Sequence, residues 1–359
     1  MIDHRELTLD DGKITGGGDV VVFLLDLVDF GIKVGLVALA TGIVFAFLAS
    51  FFRRDSGMQL GQMSVVSLSD HHRSMRNMVA RAVMTEKEYK DDVKKEKKAD
   101  KEPGNENRKR VFVVDFQGDI AATALSELRE QVTVLLDVLR EGDEVVLTLE
   151  SGGGMVHDYG LASSQLVRLR DAGFPLTICV DKIAASGGYM MAATGTRILA
   201  APFAIIGSVG VLMMMPNFSR FLKKHDIDYL ELTAGEYKHT LSAMGEITEK
   251  GINKSQEELE LTHDLFKNFV GKHRPQLELA QIGTGEIWYG TSALELKLVD
   301  ELITSDQYLH QLSRGADIYK LIYEVNKSVK ERLAGAFSKV TEETVMRLWT
   351  RLEERRRIR

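Results

Sequence analysis

The sequence predicts an α/β domain on a largely parallel β-sheet, preceded by an N-terminal transmembrane helix. Two observations predict the domain and a third the helix. From residue 111 onward, short apolar runs alternate with segments of helical periodicity, the rhythm of strand–helix–strand units. Glycine-rich turns stand where these strands end, as at 152–154 and 187–188. The stretch 34–52, VGLVALATGIVFAFLASFF, carries no charge and is long enough to cross a hydrocarbon core of about 30 Å.

Composition narrows the function. The 359 residues exceed the usual size of one domain, and 44% hydrophobic with 27% charged residues describes globular material. A net charge of -6 gives no reason to expect a nucleic-acid partner. The single cysteine, Cys179, excludes an internal disulfide and sits in an apolar run, where it reads as a small core hydrophobe. No Cys/His cluster has metal-ligand spacing, so neither a metal nor another cofactor is expected.

The elements follow in order. Residues 1–33 form an N-terminal segment, too long and acidic before the apolar run for a cleavable signal peptide. Its part from 20 to 33 is apolar but carries Asp26, Asp29 and Lys33, which suits the membrane interface. The transmembrane helix spans 34–52 and stops at Arg53-Arg54; a buried core helix is the rival reading, disfavoured by that sharp basic edge. Residues 53–110 are expected as a charged linker. From Thr85 to Arg110 it mixes charges with almost no apolar residue, giving a tether or solvated helix that ends at Pro103-Gly104.

The folded domain is expected over 111–305. Val111–Phe116, Glu144–Leu149 and Leu176–Val180 read as strands, with helices over Leu125–Leu139 and Val156–Leu169 between them. A short helix starts at Ser186, further strands cover Ile198–Ala200 and Ile205–Met214, and helices cover Thr248–Lys272 and Ser292–Lys297. Residues 306–359 are expected as a C-terminal helical extension. There Val345, Leu348, Trp349 and Leu352 share one face among arginines, which suits an anionic membrane surface or a neighbouring subunit.

Three features could carry chemistry. Glu150-Ser151-Gly152-Gly153-Gly154-Met155 joins a strand to a helix, and its bare backbone can present N–H groups to an oxyanion, though a tight turn explains three glycines nearly as well. The GxGxxG fingerprint and the P-loop lysine are absent. Ser186, in Ala-Ala-Ser-Gly-Gly, has an unobstructed hydroxyl beside Gly187; a helix N-cap is the ordinary role for such a serine. Lys238, in Ala-Gly-Glu-Tyr-Lys-His-Thr, could act as a base, since a lysine desolvated in an apolar site loses its proton near neutral pH. His157 and His239 are alternative bases, and spacing alone does not choose among the three.

The runs ESGGGMVHDYGLA at 150–162, VDKIAASGGYMMA at 180–192, APFAIIGSVGV at 201–211 and TAGEYKHTL at 233–241 resemble the signal peptide peptidase A family of serine proteases, peptidase family S49. The resemblance covers Val111 to Ile303 and implies a ClpP/crotonase-like fold of repeated ββα units, assembled as a homo-oligomer in a bacterial inner membrane. It further implies a serine endopeptidase acting on polypeptides such as signal peptides or other membrane-derived segments. Ser186 would be its nucleophile and Lys238 its general base and acid. Gly187 together with Gly153 or Gly154 would supply the oxyanion hole. In related proteases the serine and lysine often come from neighbouring protomers.

One position departs from the family pattern Ser-Pro-Gly-Gly: residue 152 is Gly, which loosens the turn and adds an N–H donor. Val211–Met215 is a candidate lining for an apolar substrate pocket. Arginine and lysine are sparse before the span and dense after it, which places the bulk of the chain in the cytoplasm. Family precedent places it in the periplasm. The rival functions are a non-proteolytic crotonase-fold scaffold that binds peptides at the membrane, and an acyl-CoA enzyme, for which Lys238 has no obvious role.

Overall fold

The computed structural model describes residues 61–99 and 108–324. The chain opens with β1 (Gln62–Ser67), α1 (Leu68–Val83), α2 (Glu86–Ala99), β2 (Lys109–Gly118), α3 (Leu125–Val138), β3 (Glu144–Ser151) and α4 (Val156–Asp171). It continues through β4 (Leu176–Val180), β5 (Ile183–Ala185), α5 (Gly187–Ala193), β6 (Arg197–Ala200), β7 (Ile205–Gly207), α6 (Ser219–Lys224) and α7 (Glu249–His273). The last elements are α8 (Leu279–Ile282), β8 (Ile287–Tyr289), α9 (Gly290–Glu295), β9 (Glu301–Leu302), α10 (Ser305–Leu312) and β10 (Ala316–Glu324).

Among the described residues the strands form one mixed sheet with the main order β1-β10-β2-β3-β4-β6-β9. From β10 to β9 neighbouring strands run parallel, and β1 closes one edge antiparallel to β10. Off this path, β5 lies between β3 and β7, and β8 pairs antiparallel with β7. The succession β4–β5–α5 is thus a main strand, an offset strand and a helix, the ββα unit that the resemblance implies.

The central strands read as unbroken apolar runs because both faces of the sheet are covered. On one face Phe112, Val114, Phe116, Leu147 and Ile178 pack with Leu128, Val132 and Leu135 of α3, Leu166 of α4 and Met191 of α5. On the other, Val111, Val113, Val146, Cys179 and Leu199 meet Tyr308 of α10 and Leu68 of α1. Cys179 is therefore a core residue, and burial pushes its thiol well above the usual range.

Three expectations change. The charged stretch 53–110 contributes β1, six residues of which pair with β10, followed by two helices. Most of β1 is exposed, so no apolar alternation announced it; its backbone finds partners at an edge that only the fold creates. The stretch 306–359 contains, after the helix α10, the strand β10 beside β2, so it is not helical throughout. The predicted strand Ile205–Met214 pairs only to Gly207. There φ turns positive at Gly207 and Ser208 and the chain leaves the sheet. The span 34–52 and the amphipathic run after Thr341 lie outside the described residues. Among the described residues no helix is long and apolar enough to cross a membrane.

One ion pair ties the far edge together. Arg274, 3% exposed, donates to both carboxylate oxygens of Asp300 at 2.7 Å and to the Lys297 carbonyl at 2.8 Å. Asp300 in turn accepts from the Ile198 amide of β6. Asp300 keeps part of its hydration, so Arg274→Ala, which removes three charge-assisted hydrogen bonds, is expected to cost about 1–3 kcal/mol of unfolding free energy in a denaturant titration.

Candidate active site

The site forms where β3 and β5 end side by side, Ser151 opposite Ala184. After Ser151 the chain turns through Gly152–Gly154 into α4. Gly153 adopts φ +89°, and a Cβ there would lie 2.6 Å from the Gly187 nitrogen and 2.8 Å from the Ser186 Cβ. A Cβ at Gly154 would overlap the Ile120 carbonyl, which already accepts from Met155 N–H at 2.8 Å. Both glycines are needed because backbone approaches backbone. At Gly152, by contrast, the nearest atom is 3.7 Å away, and no contact requires glycine.

Ser186 follows β5 with φ 53° and ψ -123°, held by its N–H donating to the Gly207 carbonyl at 2.8 Å. A non-glycine residue in this conformation stores strain of about 1–3 kcal/mol. Ser186 occupies the N-cap position of α5, yet its side chain makes no capping hydrogen bond. The ordinary role for such a serine is therefore unfilled. Its hydroxyl stands beside the first amides of α5, including that of Gly187, which have no partner within the helix.

Tyr159 joins the two halves beneath. Its ring packs where a Gly187 side chain would be, and its hydroxyl donates to the Asp119 carbonyl at 2.7 Å. That leaves the Ser151 hydroxyl to donate to the Tyr159 oxygen at 2.6 Å while accepting from Gly153 N–H at 3.1 Å. Burial pushes the phenol above its usual value, so it stays a neutral donor. The Gly153 amide is thus engaged, and among the described residues no backbone acceptor takes the N–H of Gly154. Of the three candidate amides, those of Gly154 and Gly187 have no side-chain partner among the described residues.

Ser186, Gly154 and Gly187 border a cavity of about 20 Å³, closed by Val156 and Met190, by Gly210 and Val211, and by Thr262 and Phe266 of α7. Its walls carry no charged side chain, so a group entering it is surrounded by apolar surface and backbone amides. Of the run Val211–Met215, only Val211 reaches the cavity; Leu212 and Met214 are exposed. Thr262, Phe266, Met190 and Tyr159 were not singled out from the sequence. The apolar spacing of Phe266 and Val270 marks a buried face of α7 but not what it faces.

Lys238 is not brought to this cavity within the chain. It lies on an exposed stretch, and its neighbours tie that stretch to the first turns of α7. Thr240 is hydrogen-bonded to Ser255 at 3.1 Å, and Tyr237 lies under Lys250 and Lys254. From Gly251 and Ser255 to Thr262 and Phe266 the helix rises roughly 10–20 Å. His157 is exposed beside Asp158, and His239 is paired with Glu231, so neither histidine lines the cavity.

Comparison with known proteins decides the family. Residues 168–319 match peptidase family S49, and residues 22–166 match the N-terminal region of the same family. A relative from Haemophilus influenzae described as "Probable protease SohB" is 38% identical over 349 residues, covering 93% of this chain and 95% of the relative. The chain belongs to peptidase family S49, with SohB-type relatives. A second relative with that description, from Buchnera aphidicola of Acyrthosiphon pisum, is 46% identical over 243 residues, covering 68% of this chain and 72% of its own. Among solved structures, a variant of a membrane-bound stomatin-specific protease in complex with a substrate peptide aligns with 13% identity and TM-score 0.39, covering 65% of this chain and 99% of that one.

In this S49 peptidase the Tyr159 bonds set the orientation of the glycine turn. Tyr159→Phe keeps the ring under Gly187 and removes both hydrogen bonds of the hydroxyl. Peptide hydrolysis is expected to fall about tenfold in kcat with KM nearly unchanged, the pattern of a weakened transition-state contact.

Proposed function

We propose that this peptidase is a membrane-anchored serine endopeptidase using a Ser–Lys dyad. The observation that carries the reading is Ser186: a strained residue at a helix N-terminus, free of its capping bond, opening on a cavity bordered by glycine amides. The Ser186 oxygen attacks the scissile carbonyl carbon while its proton passes to Lys238 Nζ, supplied by a neighbouring protomer. The N–H groups of Gly154 and Gly187 hold the oxyanion of the tetrahedral intermediate. The C–N bond then breaks, Lys238 returns the proton to the leaving amine, and an ester remains on Ser186. Water, deprotonated by the same lysine, hydrolyses that ester and frees Ser186.

The apolar walls at Val156, Met190, Val211 and Phe266 favour substrates with a small apolar side chain beside the cut bond. Signal peptides and other membrane-derived segments offer such residues. The apolar run 34–52 would hold the enzyme where they arise.

A fluorophosphonate probe tests the nucleophile. Wild-type protein is expected to label, Ser186→Ala to give no adduct, and Lys238→Ala to label far more slowly. Labelling that persists in Ser186→Ala overturns the assignment. A wild type that stays unlabelled in a verified oligomer supports the peptide-binding scaffold instead.

A further inference from the structure

Helix α1 carries an apolar stripe that is left largely exposed among the described residues. Met75, Met78, Val79, Ala82 and Val83 follow one another at helical spacing of three and four residues, so they line one side. Met78 is 73% exposed, Val79 62% and Val83 74%. The helix meets the sheet elsewhere. Ser69 accepts from the Ile318 amide at 2.9 Å, Leu68 packs into the lower core, and Ala80 is buried. The following helix α2 reaches only the border of the stripe, where Asp92 pairs with Arg76 at 2.7 Å and Tyr89 lines a shallow cavity with Met78, Arg81 and Ala82.

We infer that this stripe lies in the headgroup region of the lipid bilayer that anchors the chain, as an interfacial helix parallel to the surface. Two observations select lipid over another occupant. Nine residues, 53–61, separate the apolar run 34–52 from β1, and nine residues extend to about 30 Å at most. The start of β1, and α1 directly after it, are thus leashed to the membrane surface. The borders of the stripe carry arginines as well: helical spacing sets Arg81 beside Met78 and Arg76, which is paired with Asp92, beside Val83, and Asp70 is the only acid within the helix. Methionine and valine facing acyl chains with arginines at headgroup level is the composition of a surface-lying helix.

The inference rests on residues 34–52 spanning the bilayer, and the experiment separates the two. Full-length protein is reconstituted in phosphatidylcholine vesicles containing phosphatidylglycerol, with a fluorophore on single cysteines introduced by Met78→Cys, Val79→Cys, Asp70→Cys or Val44→Cys. Native Cys179 is buried and stays unlabelled. Nitroxide-bearing lipids are expected to quench positions 78 and 79 by about half or more and to leave position 70 nearly unchanged. Quenching at 44 without quenching at 78 and 79 overturns the surface assignment and leaves the anchor standing. No quenching at 44 removes the anchor and the inference with it. Quenching at 78 by a spin label on a second copy of the chain, with none from lipid, overturns the inference in favour of a protomer interface.

Discussion

Ser186→Ala chains mixed with Lys238→Ala chains are expected to recover peptide hydrolysis that neither variant has alone. Each single variant should lose activity by about a thousandfold or more, because the proposed nucleophile and base would act as one unit. Within one chain Lys238 does not line the Ser186 cavity. Tyr237 and Thr240 hold the Lys238 stretch at the start of α7, whereas the Ser186 cavity is walled by Thr262 and Phe266 further along that helix. The chain between β7 and α7, and α7 itself, also expose many apolar side chains. Leu212, Met214, Leu230 and Leu232 are each more than 70% exposed, and Leu261 and Leu265 of α7 are 63% exposed.

Exposed apolar side chains of this number favour association, and a head-to-tail arrangement would let each protomer lend its lysine to the next. If subunits mix at random, half of the sites carry Ser186 and half of those face an intact Lys238, so activity should reach about a quarter of wild type. The measurement is hydrolysis of a fluorogenic peptide after co-assembly, with mixed oligomers verified by differential tags. A verified mixture that stays inactive would show that the dyad closes within one chain by movement of the lysine stretch.

The division between what the sequence announced and what it hid follows burial. β2, β3 and β4 are covered on both faces, so Val111–Phe116, Glu144–Leu149 and Leu176–Val180 stood out as apolar runs. Thr248 capping α7 is a local signal, and the helix begins where that signal puts it. β1 is mostly exposed and β5 is three residues long, so neither periodicity nor length marked them, while β7 was marked at its start but not at its end, where Gly207 and Ser208 turn the chain out of the sheet. In the site, the glycines and Ser186 were legible because close backbone approach demands small residues at fixed positions. Tyr159 was not, since its importance comes from Asp119, forty residues earlier, and from Gly187 on another strand end. The place of Lys238 relative to Ser186 was equally hidden, being a matter of tertiary structure and assembly.

Gly153→Ala is expected to lower peptide hydrolysis by more than about a hundredfold, the loss typical of a disabled oxyanion site, while Gly152→Ala stays within about twofold. The two glycines are adjacent, yet their surroundings differ. An alanine at 152 meets only the Ile183 side chain, 3.7 Å away. An alanine at 153 must hold φ near +89°, which costs an L-residue about 1–2 kcal/mol. Its methyl would also lie 2.6 Å from the Gly187 nitrogen, in the space in front of the amide proposed to bind the substrate oxygen. Neither neighbour can yield, because the contacts are backbone atoms and the Cβ of Ser186. Relief therefore requires the turn to move away from α5, which pulls Gly154 N–H out of line with Gly187 N–H. Thermal melts distinguish this from unfolding: the Gly153→Ala protein should melt a few degrees lower but cooperatively, with kcat carrying the loss. Full activity in Gly153→Ala would mean that the oxyanion is held somewhere other than this turn.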